Sequence, residues 1–260
     1  MANDKPASRG RSLDDAPEGG NSRAPRPGEL VDLISFSDFN KKYVAMRPFG
    51  DLYAYGGHWV NTKKRDGSKV SFWTPCASYD RGSWLRDSTK RCAWCEFEST
   101  DDNQITKEVK LVRFSEDRYG NAIIRSLQRK LPDDLGEYTD AEEQTGFKEK
   151  GSDSVTPVRA FKMSTSLMRT FKDLRQLNVH ENSEGVAEAK SIMDIKYGCD
   201  VSVMYDKDKP AAQQYSAQKG DPSPIKKSEK KYLIYDVSNL IPEVSYKETL
   251  AEFKSWATRM

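Results

Sequence analysis

Three cysteines and one histidine lie close together in this 260-residue sequence and constrain its fold more than any other feature: His58, Cys76, Cys92 and Cys95. Cys92-Ala-Trp-Cys95 is a C-x2-C pair, in which both thiolates can reach one metal ion from a single tight turn. Structural zinc needs four nitrogen or sulfur ligands in a closed tetrahedron, usually from two clusters that are distant in sequence. The sequence therefore predicts one structural zinc ion bound by these four side chains.

Other uses of these cysteines stay open. A C-x2-C pair also serves as a redox dithiol, although no βαβ pattern surrounds this one. Disulfides need an oxidising compartment, and no signal peptide indicates one. Buried, unreactive cysteines are a further alternative. A catalytic zinc is not favoured, because neither H-x-E nor HExxH occurs.

The remaining cysteine and the remaining histidine are expected to have other roles. Cys199 lies in the strand-like run 197–201, which is typical of a small core residue. His180 follows a predicted helix in a polar stretch, which indicates a solvated side chain. If His58 does not bind the metal ion, His180 is the alternative ligand.

Charge is unevenly distributed, although the formal net charge is only +2. From Lys41 to Arg91 there are 11 Lys or Arg against 4 Asp or Glu, whereas residues 133–153 contain 2 Lys against 8 Asp or Glu. The basic stretch is also rich in aromatic residues. This combination is typical of a groove for single-stranded nucleic acid, where cations contact phosphates and rings stack on bases.

The cations and rings of the basic stretch are therefore the candidate nucleic-acid contacts. The candidates for phosphate contact are Lys63, Lys64, Arg65, Lys69, Arg81, Arg86, Lys90 and Arg91. The candidates for base stacking are Tyr53, Tyr55, Trp59, Phe72, Trp73 and Trp84. Each cation has a solvated surface role as its alternative, and each ring has packing in the strand core.

Composition predicts a soluble chain with long polar loops, since 32% of the residues are charged and 36% are hydrophobic. No apolar run approaches eighteen residues, so no membrane contact is expected. We expect residues 1–29 to be a disordered arm and residues 30–240 to form the core, with a zinc subdomain around 56–100. Residues 241–260 are expected to form a C-terminal helix or tail.

Hydrophobic patterning predicts a mainly β (α+β) fold. The predicted strands are 43–47, 52–55, 58–60, 70–73, 109–114, 158–163, 201–205 and 232–237, the last two paired as a hairpin. Helices are predicted after Ser164 and over about 245–257. Asp66-Gly67 predicts a hairpin turn that brings His58 close to Cys76. The pattern fits a five-stranded OB-type barrel with a zinc-binding subdomain and peripheral helices.

The chain resembles the single-stranded DNA-binding proteins of tailed phages, including the zinc-containing helix-destabilising proteins of T-even phages. The resemblance runs from about Tyr43 to Val237. It covers an Arg-Pro-Phe strand end, His58-Trp59, Cys76, Cys92-x2-Cys95, the strand 109–114, the strand and helix of 158–177, and a segment from Asp194 to Tyr235. The His–Cys–Cys–Cys order is its specific part.

The resemblance implies a non-enzymatic protein that coats unpaired DNA during phage replication, recombination or repair in the cytoplasm of an infected bacterium. It implies an OB-fold groove beside a zinc subdomain, with polymerase, helicase or recombinase partners and self-association along DNA. A zinc-stabilised virion or assembly protein without affinity for nucleic acid is the alternative. An enzyme such as a nuclease is not favoured, because no P-loop or paired-carboxylate motif is present.

Overall fold

The computed structural model describes residues 30–63, 69–103, 110–131, 147–148, 150 and 156–258. The predicted arm 1–29, the hairpin tip with Lys64 and Arg65, and most of the acidic segment 133–153 lie outside the described residues.

Most of the described secondary structure is β. The strands are β1 Leu33–Ile34, β2 Tyr43–Lys63, β3 Lys69–Pro75, β4 Tyr79–Asp80, β5 Leu85–Arg86, β6 Val112–Ile124, β7 Val158–Met163, β8 Val179–Glu181, β9 Ala187–Ala189, β10 Cys199–Tyr205 and β11 Tyr215–Pro222. The α-helices are α1 Ala93–Glu98, α2 Arg125–Gln128, α3 Thr165–Leu177 and α4 Tyr246–Ala257. Short 3-10 helices span Phe36–Phe39, Ala211–Gln213 and Glu229–Lys231.

One seven-stranded sheet organises the fold. Its order is β1-β7-β6-β2-β10-β11, and β3 pairs with the far end of β2. All neighbours are antiparallel except β1 and β7. The sheet curls into a half-barrel, which confirms the mainly β prediction. The five-stranded OB-type barrel stays a prediction.

The prediction of three separate short strands at 43–47, 52–55 and 58–60 was wrong, because β2 runs without interruption from Tyr43 to Lys63. The Pro48-Phe49-Gly50 run is accommodated by a register shift against β6 between Phe49 and Tyr53. Gly50 has φ +73°, a conformation that glycine adopts without strain. The irregularity bends the strand and leaves the pairing on both sides intact.

The prediction of a strand at 232–237 paired with 201–205 was also wrong. The hairpin partner of β10 is β11. The polar sequence of β11 lacks apolar alternation, because it is the edge strand of the sheet. Residues 232–237 instead cover the sheet, and Asn121 satisfies both backbone groups of the fully buried Tyr235 through its side chain.

Both long helices agree with the sequence prediction. The Ser164 hydroxyl caps α3 by accepting from the Leu167 amide, and Leu167, Phe171 and Leu174 are buried at helical spacing. Ser245 and Glu248 form a capping box at the start of α4. Reciprocal capping of this kind fixes where α4 begins.

Residues alternate between two faces of the sheet along β2. We call the face that carries His58 and Val60 the front face, and the face that carries Trp59 the back face. On the front face, α3 covers one end of the sheet and Trp94 and Trp256 cover the other end. On the back face, residues 235–241 pack on Tyr55, Tyr119 and Ile123. The sheet therefore has a core on each side.

Candidate metal centre and adjoining groove

Three elements converge to bring the four predicted metal ligands together. His58 lies in β2, directly opposite Thr74 of β3. Cys76 follows β3 at once, and its amide donates to the Gly56 carbonyl at 3.0 Å. Cys92 is the N-cap of α1, and Cys95 lies in the first turn of that helix. The predicted β2–β3 hairpin is confirmed and places His58 beside Cys76.

The four ligand atoms form one compact group, lying within 4.8 Å of one another. His58 Nε2 is 3.7 Å from Cys92 Sγ and 3.4 Å from Cys95 Sγ, and the sulfur atoms of Cys76 and Cys95 are 3.5 Å apart. A disulfide would need about 2.05 Å between sulfurs, and all three thiols are free. These four residues could hold one metal ion.

The protonation of this group is strongly perturbed. Burial lowers the pKa of His58, but the hydrogen bonds that the protonated imidazole donates to Cys92 and Cys95 outweigh burial and raise the pKa to about 9. Hydrogen bonds to Cys92 and Cys95 raise the pKa of the Cys76 thiol, whereas hydrogen bonds from Cys76 and Cys95 lower the pKa of Cys92. His58, Cys76 and Cys92 thus compete for protons at one point, and a metal cation would replace those protons.

Outer contacts fix the orientation of the ligands. The Glu98 carboxylate lies 3.7 Å from His58 Nδ1, pairs with Arg86 at 3.1 Å and accepts from the Phe114 amide at 2.8 Å. The Ser78 hydroxyl lies 3.1 Å from Cys76 Sγ and 3.3 Å from Cys95 Sγ. A carboxylate that accepts from the second imidazole nitrogen is a usual companion of a metal-binding histidine. Here the carboxylate of Glu98 is beyond hydrogen-bond distance, and the buried His58 Nδ1 has no hydrogen-bond partner among the described residues. The sequence analysis missed Glu98, although it lies one helical turn after Cys95 on α1.

The C-terminal helix packs directly on the ligand helix. Trp94 is fully buried, and its ring contacts Phe253 and Trp256 of α4 at centroid distances of 5.3 and 5.4 Å. The Glu252 carboxylate accepts from Trp94 Nε1 at 3.2 Å and from the Thr74 hydroxyl at 2.5 Å. We call residues 57–61, 71–98 and α4 the metal lobe, because apolar side chains from these segments share one hydrophobic cluster around the ligands.

Cys199 and His180 lie away from the cluster. Cys199 is fully buried in the core between the sheet and α3, as predicted. His180 Nε2 is 3.2 Å from the Asn178 side-chain oxygen, and its ring packs on Tyr197.

The aromatic stacking candidates are divided between the core and the surface. Tyr55 is buried and donates to the Val237 carbonyl at 2.6 Å, and Phe72 packs against the core of the metal lobe. Tyr53 and Trp84 are partly exposed, with relative accessibilities of 40% and 36%. Trp59 and Trp73 are half-buried on the back face.

Four of the predicted cations make contacts within the protein. Arg86 pairs with Glu98, and Arg91 pairs with Glu96 at 2.8 Å and lies over the Tyr246 ring. Arg81 donates to the Ile241 carbonyl and lies over Tyr55. Lys90 lies 4.0 Å from the Asp87 carboxylate, and with Arg81 it lines a cavity of about 200 Å³ beside Tyr55. Lys63 and Lys69 form the last described pair of the β2–β3 ladder.

A groove crosses the front face between the metal lobe and α3. Its volume is about 360 Å³, and its apolar lining includes Leu52, Met168 and Phe171. Trp84 overhangs it from the tip of the β4–β5 hairpin, within the loop that links Cys76 to Cys92. Trp84 has φ +59°, a strained conformation for a bulky residue and one that is frequent at functional sites.

Three cations that the sequence analysis missed line this groove. Arg118 of β6 lies 5.9 Å from the Trp84 ring centroid and pairs with Glu116, which also accepts from Tyr79. Lys172 and Arg175 lie one turn apart on α3 and are exposed. None of the described groove-lining residues is acidic. The groove therefore combines an indole, an apolar floor and positive charge.

No known family model matches the chain, and no curated protein matches it. None of the described helices has the length and apolar character that a membrane-crossing helix requires.

Proposed function

We propose that this protein binds single-stranded DNA and carries one structural zinc ion, without enzymatic activity. The observation that carries the proposal is the groove between the metal lobe and α3. Bases of an unpaired strand can stack on Trp84 and contact the apolar floor, while the exposed Lys172 and Arg175 neutralise phosphates. A duplex keeps its bases paired and stacked, so it offers no ring to Trp84.

The proposal of zinc rests on the donor set and its spacing. Zn–S bonds of about 2.3 Å and Zn–N bonds of about 2.0–2.1 Å put tetrahedral ligand atoms about 3.6–3.8 Å apart. The separations of 3.4, 3.5 and 3.7 Å within the cluster are close to that range. Three cysteines and one histidine fill all four positions, which favours a structural ion over a catalytic one.

The wider role follows the resemblance to phage proteins. A curled β half-barrel is compatible with an OB-type fold. The proposed setting is phage DNA replication, recombination and repair in the infected bacterial cytoplasm, with replication proteins as partners and self-association along the strand.

The groove is tested by reversing two of its charges. Lys172→Glu/Arg175→Glu is expected to weaken binding to oligothymidylate at least about tenfold at low salt, and each lost phosphate contact should lower the log–log salt slope by about 0.7. Tryptophan fluorescence titrations at several salt concentrations measure both quantities.

Lys207→Glu/Lys209→Glu is the matched control, because both lysines are exposed in the turn between β10 and β11. This control variant should lose less affinity for oligothymidylate than Lys172→Glu/Arg175→Glu. Wild-type protein that binds no oligothymidylate would contradict the proposal and would favour a zinc-stabilised assembly protein. Equal affinity for duplex and single strand would also contradict it.

A further inference from the structure

The back face of the β2–β3 hairpin carries a row of three large side chains that no core covers completely. Trp73 of β3 and Arg113 of β6 both lie directly opposite Trp59 of β2. Directly opposite residues of antiparallel strands point to the same face. The row therefore consists of two indole rings and one guanidinium group, one on each of the adjacent strands β3, β2 and β6.

Trp73 lies flat on the sheet because Gly57 leaves room for it. A β-carbon at Gly57 would be 2.3 Å from the Trp73 ring, and Trp73 Nε1 reaches across β2 to donate to the Ser115 hydroxyl at 3.1 Å. The hydrogen bond fixes the orientation of the ring. A half-buried indole held flat in this way is preorganised for stacking, because little side-chain entropy remains to be lost.

The charge around this row is positive. Arg113 is exposed and makes no ion pair with any residue in the described part of the chain. The carboxylate nearest to the row along the back face of β6, that of Asp117, is neutralised by Lys162 at 2.7 Å.

We propose that Trp73, Trp59 and Arg113 form a second contact surface for single-stranded nucleic acid, on the opposite side of the sheet from the groove. The surface takes one or two stacked bases on the indoles and a phosphate on Arg113. The ligand class rests on the proposed function, whereas the surface itself does not. A strand long enough to pass around the hairpin edge contacts both sites, and a very short strand occupies the groove alone.

Two oligothymidylates distinguish the sites, one of about 4 and one of about 16 nucleotides, the ends of the usual range of site sizes. Arg113→Glu is expected to weaken binding of the 16-mer several-fold and to lower its log–log salt slope by about 0.7, with the 4-mer unchanged. Trp59→Ala should likewise weaken the 16-mer only. Lys207→Glu is the control for a single charge reversal. Lys207 lies in the turn between β10 and β11, where its amide donates to the Asn40 side chain just before β2 begins.

Metal content and thermal melting establish that each variant is folded. If neither Arg113→Glu nor Trp59→Ala affects the 16-mer while the groove variant still loses affinity, the second surface is refuted and the groove stands. If Arg113→Glu and Trp59→Ala weaken binding of the 16-mer and Lys172→Glu/Arg175→Glu does not, the second surface stands and the groove is refuted. Loss of affinity for both the 4-mer and the 16-mer in Arg113→Glu and Trp59→Ala would also refute a separate second surface.

Discussion

Replacing Cys92 with serine is expected to release the metal ion and unfold the metal lobe. Cys92 is 1% exposed, and its sulfur lies within the four-atom cluster. Metal binding contributes on the order of 10 kcal/mol in small zinc domains. That amount is comparable with the whole stability of a typical domain, about 5–15 kcal/mol. Metal analysis by mass spectrometry and calorimetric melting would measure both losses.

Cys199→Ser is the matched control for this change. Cys199 is equally buried but packs in the core beside α3, away from the metal lobe. We expect this variant to keep one equivalent of zinc and to lose only about 1–3 kcal/mol, the usual effect of burying a new hydroxyl. A Cys92→Ser protein that retains a full equivalent of zinc and an unchanged melting temperature would refute the metal centre.

Replacing Arg47 with methionine is expected to have the largest effect outside the metal lobe. Arg47 is fully buried, and its guanidinium donates to four backbone carbonyls, those of Pro48, Ile192, Asp194 and Ser223. It thereby ties β2 to the chain before β10 and to the chain after β11. Burial lowers the pKa of Arg47, and the nearby carboxylates of Asp200 and Glu229 partly offset that lowering.

Methionine keeps much of the volume of arginine but removes one donor from each of those carbonyls. The Ile192 and Asp194 carbonyls still accept from the amides of Cys199 and Gly198, so the loss falls mainly on Pro48 and Ser223. Each buried acceptor that stays unsatisfied costs about 1–3 kcal/mol, so the free energy of unfolding should fall by about 3–5 kcal/mol. Urea denaturation measures the change. Arg169→Met, at an exposed position of α3, should stay within about 0.5 kcal/mol of wild type. Equal stability of the two variants would disprove the structural role of Arg47.

The sequence predicted the features that depend on short-range patterns. The ligand set could be recognised from the C-x2-C pair and two upstream residues. The hairpin that brings His58 close to Cys76 could be recognised from its Asp-Gly turn. Apolar spacing predicted α3 and α4. The error at 232–237 arose because apolar residues that cover a sheet have the same composition as a strand. β11 was missed because an edge strand has no need of apolar alternation.

The groove could not be predicted from the basic stretch, because its cations come from elsewhere in the chain. Arg118 reaches it through the long pairing of β2 with β6, and Lys172 and Arg175 reach it through α3. Long-range packing of this kind leaves no local signal. One hint was present: Lys172 and Arg175 lie at i and i+3 on the polar side of a predicted amphipathic helix.

The most direct measurement of the central claim is photocrosslinking of the zinc-loaded protein to iodouracil-substituted single-stranded DNA, followed by peptide mapping. Tryptic cleavage after Arg81 and Arg86 isolates Trp84 in a five-residue peptide, Gly82–Arg86. We expect that peptide to carry a nucleotide adduct, and we expect the adduct to disappear when zinc is removed, since the loop that bears Trp84 joins two ligands. Crosslinks confined to other peptides, or a Trp84 adduct indifferent to zinc, would contradict a DNA groove held by the metal lobe.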